Sequence, residues 1–218
     1  MNVERHINED FIVEYIRSLY PPKNDLFQEM EELARAEDIP IIEPETAKLL
    51  QLLLKLHRPK RILEIGTAIG YSAIVMMDAL KGKTNIYTIE RDPRMIRYAK
   101  DFFAHSGYTG FHLLEGDAKD IMQELSMEYD FIFMDAAKAQ YQNFFALGSY
   151  LLSKGGLIVS DNVLFRGMVA SGELVERRKI TIVKRLRTYL SDITQREGYS
   201  TSVIPIGDGI AVTLKEKE

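Results

Sequence analysis

The chain has 218 residues, 46% hydrophobic and 28% charged, enough to bury one sizeable core without covalent staples. It contains no cysteine, so disulfide frameworks, thiolate zinc sites, iron–sulfur clusters and cysteine nucleophiles are excluded together. The net charge of −4 argues against a protein that coats nucleic acid generally. The charged stretch from Met1 to Asp10 lacks the apolar run of a signal peptide, and the uncharged run from Ile65 to Met77 is too short to span a bilayer. A cytoplasmic chain with no membrane partner is expected.

Residues 1–58 read as a helical extension. Phe11, Ile12, Tyr15, Ile16 and Leu19 share one helical face, and Pro21-Pro22 ends that segment. A second helix opens near Asn24 or Asp25 and carries Leu26, Phe27, Met30 and Leu33; Pro44 opens a third that runs through Leu56. From Arg61 the pattern changes. Short apolar strands at Arg61–Ile65, Asn85–Glu90, Phe111–Glu115, Tyr129–Met134 and Leu157–Ser160 alternate with helical stretches at Tyr71–Leu80, Pro93–His105, Ala118–Leu125 and Tyr141–Leu151. That alternation predicts βαβ units and a parallel sheet covered on both faces. A helix at Val175–Ile193 leads to Tyr199–Ile204 and Ile210–Leu214, an antiparallel pair around Gly207-Asp208-Gly209. The expected fold is therefore an α/β, Rossmann-like, doubly wound and mostly parallel seven-stranded sheet. It ends in an antiparallel hairpin, with residues 59–218 as its domain and ligands beyond the carboxyl ends of its strands.

The first strand runs into Leu63-Glu64-Ile65-Gly66-Thr67-Ala68-Ile69-Gly70-Tyr71-Ser72. Glycines at 66 and 70 permit a sharp turn, and the amides opening the next helix favour an anionic group. Glu90, at the end of the second strand, is placed to accept both hydroxyls of a ribose. The alternative is a tight strand–helix turn beside a solvated carboxylate. A dinucleotide fingerprint requires Gly-x-Gly-x-x-Gly, whereas three residues separate Gly66 from Gly70 and no third glycine follows. Glu64, inside the strand, suits a cationic amino-acid ligand better than a pyrophosphate. S-adenosylmethionine, with its ammonium, sulfonium and ribose, fits that description.

The fourth strand ends in Asp135-Ala136-Ala137-Lys138 and the fifth in Asp161-Asn162. Two carboxylates and an amide oxygen form a hard, all-oxygen half-shell suited to Mg²⁺, Mn²⁺ or Ca²⁺, with other positions open to water or substrate. Read singly, Asp135 is a helix cap and Asp161-Asn162 a turn; the pairing at two strand ends favours the metal. Lys138, partly desolvated near a cation, would acquire a lowered pKa and remove a proton from a substrate hydroxyl.

Glu64-x-Gly66, Gly70-Tyr71-Ser72, Glu90-Arg91-Asp92-Pro93, Asp135-Ala136-Ala137-Lys138 and Asp161-Asn162-Val163-Leu164 together resemble the cation-dependent O-methyltransferases, the family of the catechol and caffeoyl-coenzyme A enzymes. The resemblance covers Ile39 to the C-terminus. It implies that Asp135, Asp161 and Asn162 bind the metal, that Glu90 holds the cofactor ribose, and that Ile42, Ser72, Asp117, Ala118 and Asp135 line the cofactor. It further implies that Lys138 assists deprotonation of an acceptor whose two neighbouring oxygens chelate the metal, and that the chain is a homodimer. Two features depart from the pattern: Ala137 stands where plant-type members have Asp, and there is no tryptophan for an aromatic gate beside the metal.

Between Arg166 and Arg187 seven basic residues (Arg166, Arg177, Arg178, Lys179, Lys184, Arg185, Arg187) face only two acidic ones. On a helix from Val175, Ile182, Val183, Leu186, Leu190 and Ile193 form the buried stripe, with Arg177 and Lys184 opposite it and Arg178, Arg185 and Arg187 on its flanks. Such a face is commonly just solvated, its stems covering apolar surface; it is also able to follow a phosphate backbone. The Asp-Ala-Ala-Lys form and the short Asn162–Gly167 loop resemble the bacterial branch of the family that methylates 5-hydroxyuridine at the tRNA wobble position. That resemblance implies a tRNA anticodon loop as partner, its unpaired base stacking on Phe165 or Tyr141. A small catechol or phenylpropanoid is the other acceptor class.

Overall fold

A computed structural model describes residues 7–21 and 24–216. The first six residues and Pro22, on which the leader and helix-stop readings partly rest, lie outside the described residues. Three helices come first, α1 (Asp10–Ser18), α2 (Asp25–Ala36) and α3 (Pro44–His57). Then strands and helices alternate: β1 (Arg61–Ile65), α4 (Tyr71–Ala79), β2 (Asn85–Glu90), α5 (Pro93–His105), β3 (Phe111–Glu115), α6 (Ala118–Glu124), β4 (Tyr129–Met134), α7 (Tyr141–Leu151) and β5 (Leu152–Ser160). After α8 (Ile180–Gln195), β6 (Tyr199–Ile204) and β7 (Ile210–Lys215) close the chain. The strands form one seven-stranded sheet in the order β3-β2-β1-β4-β5-β7-β6, with the hairpin β6–β7 antiparallel, as the alternation requires. The chain divides into two compact units, one of residues 16–125 and one joining Ser126–Glu218 to the stretch that ends at Tyr15.

In the unit of residues 16–125, β2 pairs in parallel with both β1 and β3. Ile62, Leu63, Glu64 and Ile65 are all buried, as a strand with both faces covered must be. Helix α4 is apolar all round and buries every residue but Asp78, so it belongs to the interior. Asn24 caps α2 by accepting the Phe27 amide at 3.1 Å, a contact worth about 1 kcal/mol. Pro44 occupies the first turn of α3, where a missing N–H is not needed.

In the other unit, β5 pairs in parallel with β4 and antiparallel with β7. It starts five residues before the expected Leu157. Leu152-Ser153-Lys154-Gly155-Gly156 reads as a turn, yet it stays in the ladder because the register jumps from Tyr129↔Leu152 to Phe131↔Leu157 and absorbs the glycines as an irregularity. Helix α8 starts at Ile180, not Val175; Gly172–Leu174 and Arg177–Lys179 form separate single 3-10 turns. The charged run Glu176–Lys179 has no apolar side chain to bury, so nothing holds it on a helix axis. The buried stripe is Val183, Leu186, Tyr189 and Ile193, each contributing roughly 1.5–3 kcal/mol on burial. Tyr189 replaces the expected Ile182 and Leu190, which are half-buried. No helix among the described residues is long and apolar enough to cross a membrane.

Candidate active site

The turn after β1 is built from left-handed residues: Gly66 at φ 100°, Ala68 at 45° and Gly70 at 87°. The amides of Gly66 and Thr67 both donate to the Ile89 carbonyl, at 3.1 and 3.2 Å, which folds the turn over β2. Gly70 is required twice over, for its φ and because a Cβ there would stand 2.7 Å from the Phe103 ring. As the residue before α4 it offers no side-chain cap, so the first amides of that helix suit an anionic group.

Glu90 ends β2 with both carboxylate oxygens engaged. Oε2 accepts the Ala68 amide at 2.9 Å, and Oε1 accepts those of Arg91 and Asp92 at 2.8 and 2.9 Å. Each oxygen accepts in more than one direction, so the carboxylate shapes the turn and keeps acceptor capacity for ligand hydroxyls. Asp117 caps α6 by accepting the Lys119 amide at 3.0 Å and pairs with Arg91 at 3.2 Å. Ala118 opens that helix, and Ile42 is buried just before α3.

The structure shows how Glu64 is held. Its side chain is fully buried and accepts the hydroxyls of Ser72 and Thr88, its register partner on β2. Thr88 in turn shares a hydrogen with Thr67 at 2.6 Å. Ser72 and Thr88 each give their one hydroxyl hydrogen to Glu64, so Thr67 must donate to Thr88. Glu64 thus ties α4 to β1 and β2 from inside. A polar Thr in the otherwise apolar Ile86–Ile89 run was the signal for this network.

In the second unit the residues of the expected half-shell come together. Asp161 is buried and Asp135 and Asn162 are partly so. Lys138 Nζ, in the 3-10 turn Lys138–Gln140, donates to Asn162 Oδ1 at 2.9 Å. Burial pushes the Asp161 carboxyl up to about 8, helped by the nearby charge of Asp135; the Asn162 amide and Lys138 pull it back. Burial also raises Asp135, opposed by Lys138. Two enclosed carboxyls served by one ammonium leave a donor set short of positive charge, and that is what a divalent, oxygen-seeking cation supplies. Among the described residues no group of three or more His, Asp or Glu side chains is placed to hold a metal.

The loop after Asn162 is fastened from two sides. Residues 162, 165 and 166 are left-handed. Val163 and Leu164 donate to the carbonyls of Gly209 and Asp208 at 2.9 and 3.0 Å, and the Arg166 amide donates to the Asp208 carboxylate. Glycine is needed at 209 because a Cβ would collide with Leu164. From the other side, Arg187 donates to the carbonyls of Val169 and Met168 at 2.8 and 3.2 Å, and Arg185 to that of Ala139 at 3.2 Å.

These tethers change the reading of the basic segment. Arg177 and Arg178 lie on the 3-10 turn before α8, so a single helical face does not collect them. Arg178 pairs with Glu176 at 3.0 Å, and Arg185 is engaged by backbone. Arg166, Arg177 and Lys184 are exposed. Tyr141 is fully buried and cannot stack on a base; Phe165 is half-exposed, with Lys179 Nζ 5.6 Å from its ring centre. Asp208 was not anticipated as a support of this site, since it serves the loop from a distant part of the sequence.

The chain is similar to known proteins along most of its length. The sequence model of a family described as O-methyltransferase matches residues 20–216. A catechol O-methyltransferase of Niastella koreensis is 38% identical over 133 residues, a match spanning 59% of this chain and 60% of that protein. A Staphylococcus aureus structure, provisionally named a caffeoyl-CoA O-methyltransferase, superposes with a TM-score of 0.87 at 34% identity, covering 94% of this chain and all of that one. The O-methyltransferase TomG of Streptomyces achromogenes, involved in tomaymycin synthesis and solved with S-adenosylmethionine, superposes at 0.82 with 26% identity over 95% of this chain and 96% of its own.

Proposed function

The chain belongs to the O-methyltransferase family, and from that premise we propose that it moves a methyl group from S-adenosylmethionine to a hydroxyl flanked by a second oxygen, with Mg²⁺ or a similar cation bound. The observation that carries this reading is the meeting of Asp135, Asp161, Asn162 and Lys138 at the ends of β4 and β5.

The turn Gly66–Gly70 and the open start of α4 suit the carboxylate of the methionine part, and Glu90 the ribose hydroxyls. Ile42, Ser72, Asp117 and Ala118 complete the cofactor's surroundings in this reading, while Glu64 holds Ser72 in place from behind. When bound, the cofactor would supply a methyl group activated by its sulfonium for transfer to the acceptor oxygen. The cation supplies charge that favours the ionised acceptor. With the cation bound, Lys138 would act as the neutral amine, its own proton released to solvent, and take the acceptor proton on Nζ; Asn162, now its hydrogen-bond partner at 2.9 Å, keeps that nitrogen at the cluster. Asp135 and Asp161 provide the negative charge that holds the cation.

Glu90→Ala is expected to weaken binding of S-adenosylhomocysteine by about tenfold or more, since a charge-assisted hydrogen bond is worth on the order of 1.5–3 kcal/mol. Titration calorimetry returning wild-type affinity would remove the ribose from this carboxylate.

For the acceptor, the reading is 5-hydroxyuridine at the wobble position of tRNA. Its 5-hydroxyl and 4-carbonyl oxygens are neighbours, as chelation requires, and product formation gives 5-methoxyuridine. The exposed Arg166, Arg177 and Lys184 support it, with Arg178 and Arg185 adding charge beside them. Similarity to the Niastella koreensis catechol enzyme supports the second reading, a small catechol. Methyl transfer from labelled S-adenosylmethionine to bulk tRNA and, in parallel, to a catechol panel decides between them. If tRNA is the acceptor, Arg177→Gln with Lys184→Gln should raise KM for tRNA severalfold and flatten its salt dependence, because each lost phosphate contact releases less counterion. Wild-type kinetics at every salt concentration would take RNA away from this surface. The exposed Phe11, Tyr15 and Leu19 of the first helical segment support a homodimer, which sedimentation equilibrium tests.

A further inference from the structure

The peptide joining Asp161 to Asn162 is gripped by a residue with no part in the half-shell itself. The Asp161 carbonyl accepts the Tyr141 phenol at 2.8 Å. The same phenol oxygen stands 3.2 Å from the carbonyl of Met134, the residue before Asp135, and that carbonyl also accepts the Asp161 amide at 3.0 Å. One side chain therefore touches the backbone at the ends of both β4 and β5. Tyr141 is fully buried, and a carbonyl oxygen can only accept, so toward the two carbonyls its phenol is the donor. A phenol has one hydrogen to give, and the shorter contact assigns it to Asp161.

The consequence falls on Asn162. Its backbone is left-handed, φ 54°, a region that Asn tolerates but does not prefer. Its amide donates to Asp161 Oδ1 at 2.6 Å, and its Oδ1 receives Lys138 at 2.9 Å. Fixing the orientation of the 161–162 peptide plane fixes the directions in which both side chains leave the backbone. Resting on the cation reading above, we infer that Tyr141 is a positioning residue for the half-shell: its phenol sets the aim of Asp161 and Asn162 without touching the ion.

Tyr189 provides an internal control. It too is a fully buried phenol, its ring 5.6 Å from that of Tyr141, but it shares its hydrogen bond with the Ser160 hydroxyl at 2.6 Å and touches neither carbonyl. A role for Tyr141 confined to filling the core predicts that losing either phenol oxygen has the same effect.

The experiment compares the full wild-type chain with Tyr141→Phe and Tyr189→Phe, each of which removes one oxygen and keeps the ring. Mn²⁺ binding is followed by the loss of the free-ion electron paramagnetic resonance signal, thermal unfolding by circular dichroism, and the metal-free backbone by amide NMR. Tyr141→Phe is expected to weaken Mn²⁺ binding roughly tenfold, about the worth of one buried hydrogen bond. It should also shift the Asn162 amide resonance without metal. Tyr189→Phe should stay within about twofold of wild type despite a similar loss of thermal stability. Wild-type Mn²⁺ affinity and an unmoved Asn162 resonance in Tyr141→Phe would overturn the inference alone, as would equal weakening in both variants. A wild-type chain that binds no Mn²⁺ would instead defeat the cation reading, and the inference with it.

Discussion

Asp161→Ala should reduce methyl transfer at least a hundredfold while leaving the chain folded. Three side-chain oxygens are few for an ion that takes six, and removing one leaves the remaining carboxylate and amide unable to fix it. Charge stabilisation by a bound cation is worth several kcal/mol, and each 1.4 kcal/mol lost is about tenfold in rate. The fold has little to lose. Burial already opposes the charged form of this carboxyl, and its side chain accepts one backbone hydrogen bond, from the amide of Asn162. Thermal unfolding near the wild-type temperature, with activity gone, is the expected pair of results. A chelator should reproduce the loss in the wild-type chain, and added Mg²⁺ or Mn²⁺ should restore it. Undiminished transfer in the chelator would rule out the cation.

Lys138→Met should separate chemistry from binding. Proton transfer by a positioned side chain contributes about 10²–10⁴-fold, so kcat should fall by that order. Methionine keeps the length and apolar stem but cannot accept a proton, and it leaves Asn162 Oδ1 without its present donor. Lys138 is not among the residues assigned to the cofactor. Affinity for S-adenosylhomocysteine should therefore stay within about twofold of wild type, measured by calorimetry at saturating Mg²⁺. Equal losses in turnover and cofactor affinity would show that Lys138 supports the fold instead of moving a proton.

The legible parts of this protein were those written locally. Each strand–helix alternation from Arg61 to Leu151 is carried by apolar period and turn residues within about ten positions, and its boundaries hold to within a residue or so. The pairing of Asp135 with Asp161-Asn162 was legible for a related reason: parallel strands place their carboxyl ends on one side. What escaped was decided by partners far along the chain. The network that Glu64 forms with Thr88 and Ser72 depended on how three separate elements pack. The start of β5 depended on a register jump opposite Tyr129 that no pattern within β5 announces. The helix drawn from Val175 failed because charge spacing was allowed to extend an axis that only apolar burial could hold; the first buried side chain of α8 is Val183. Tyr141 was read as an aromatic surface, although its neighbours Phe144 and Phe145 already marked that turn of helix as interior.

The tethered arginines of α8 separate two quantities that a count of basic residues merges. Arg185 and Arg187 spend their N–H groups on the carbonyls of Ala139, Met168 and Val169, and so have fewer left with which to grip a partner. They keep their full charge, however, because a carbonyl neutralises nothing. Within a Debye length of about 8 Å at physiological ionic strength they still add to the local potential. A field of that kind speeds the arrival of an anionic molecule more than it prolongs its stay. Seven basic residues on this segment thus describe a funnel wider than its floor: all of them attract, and fewer of them hold.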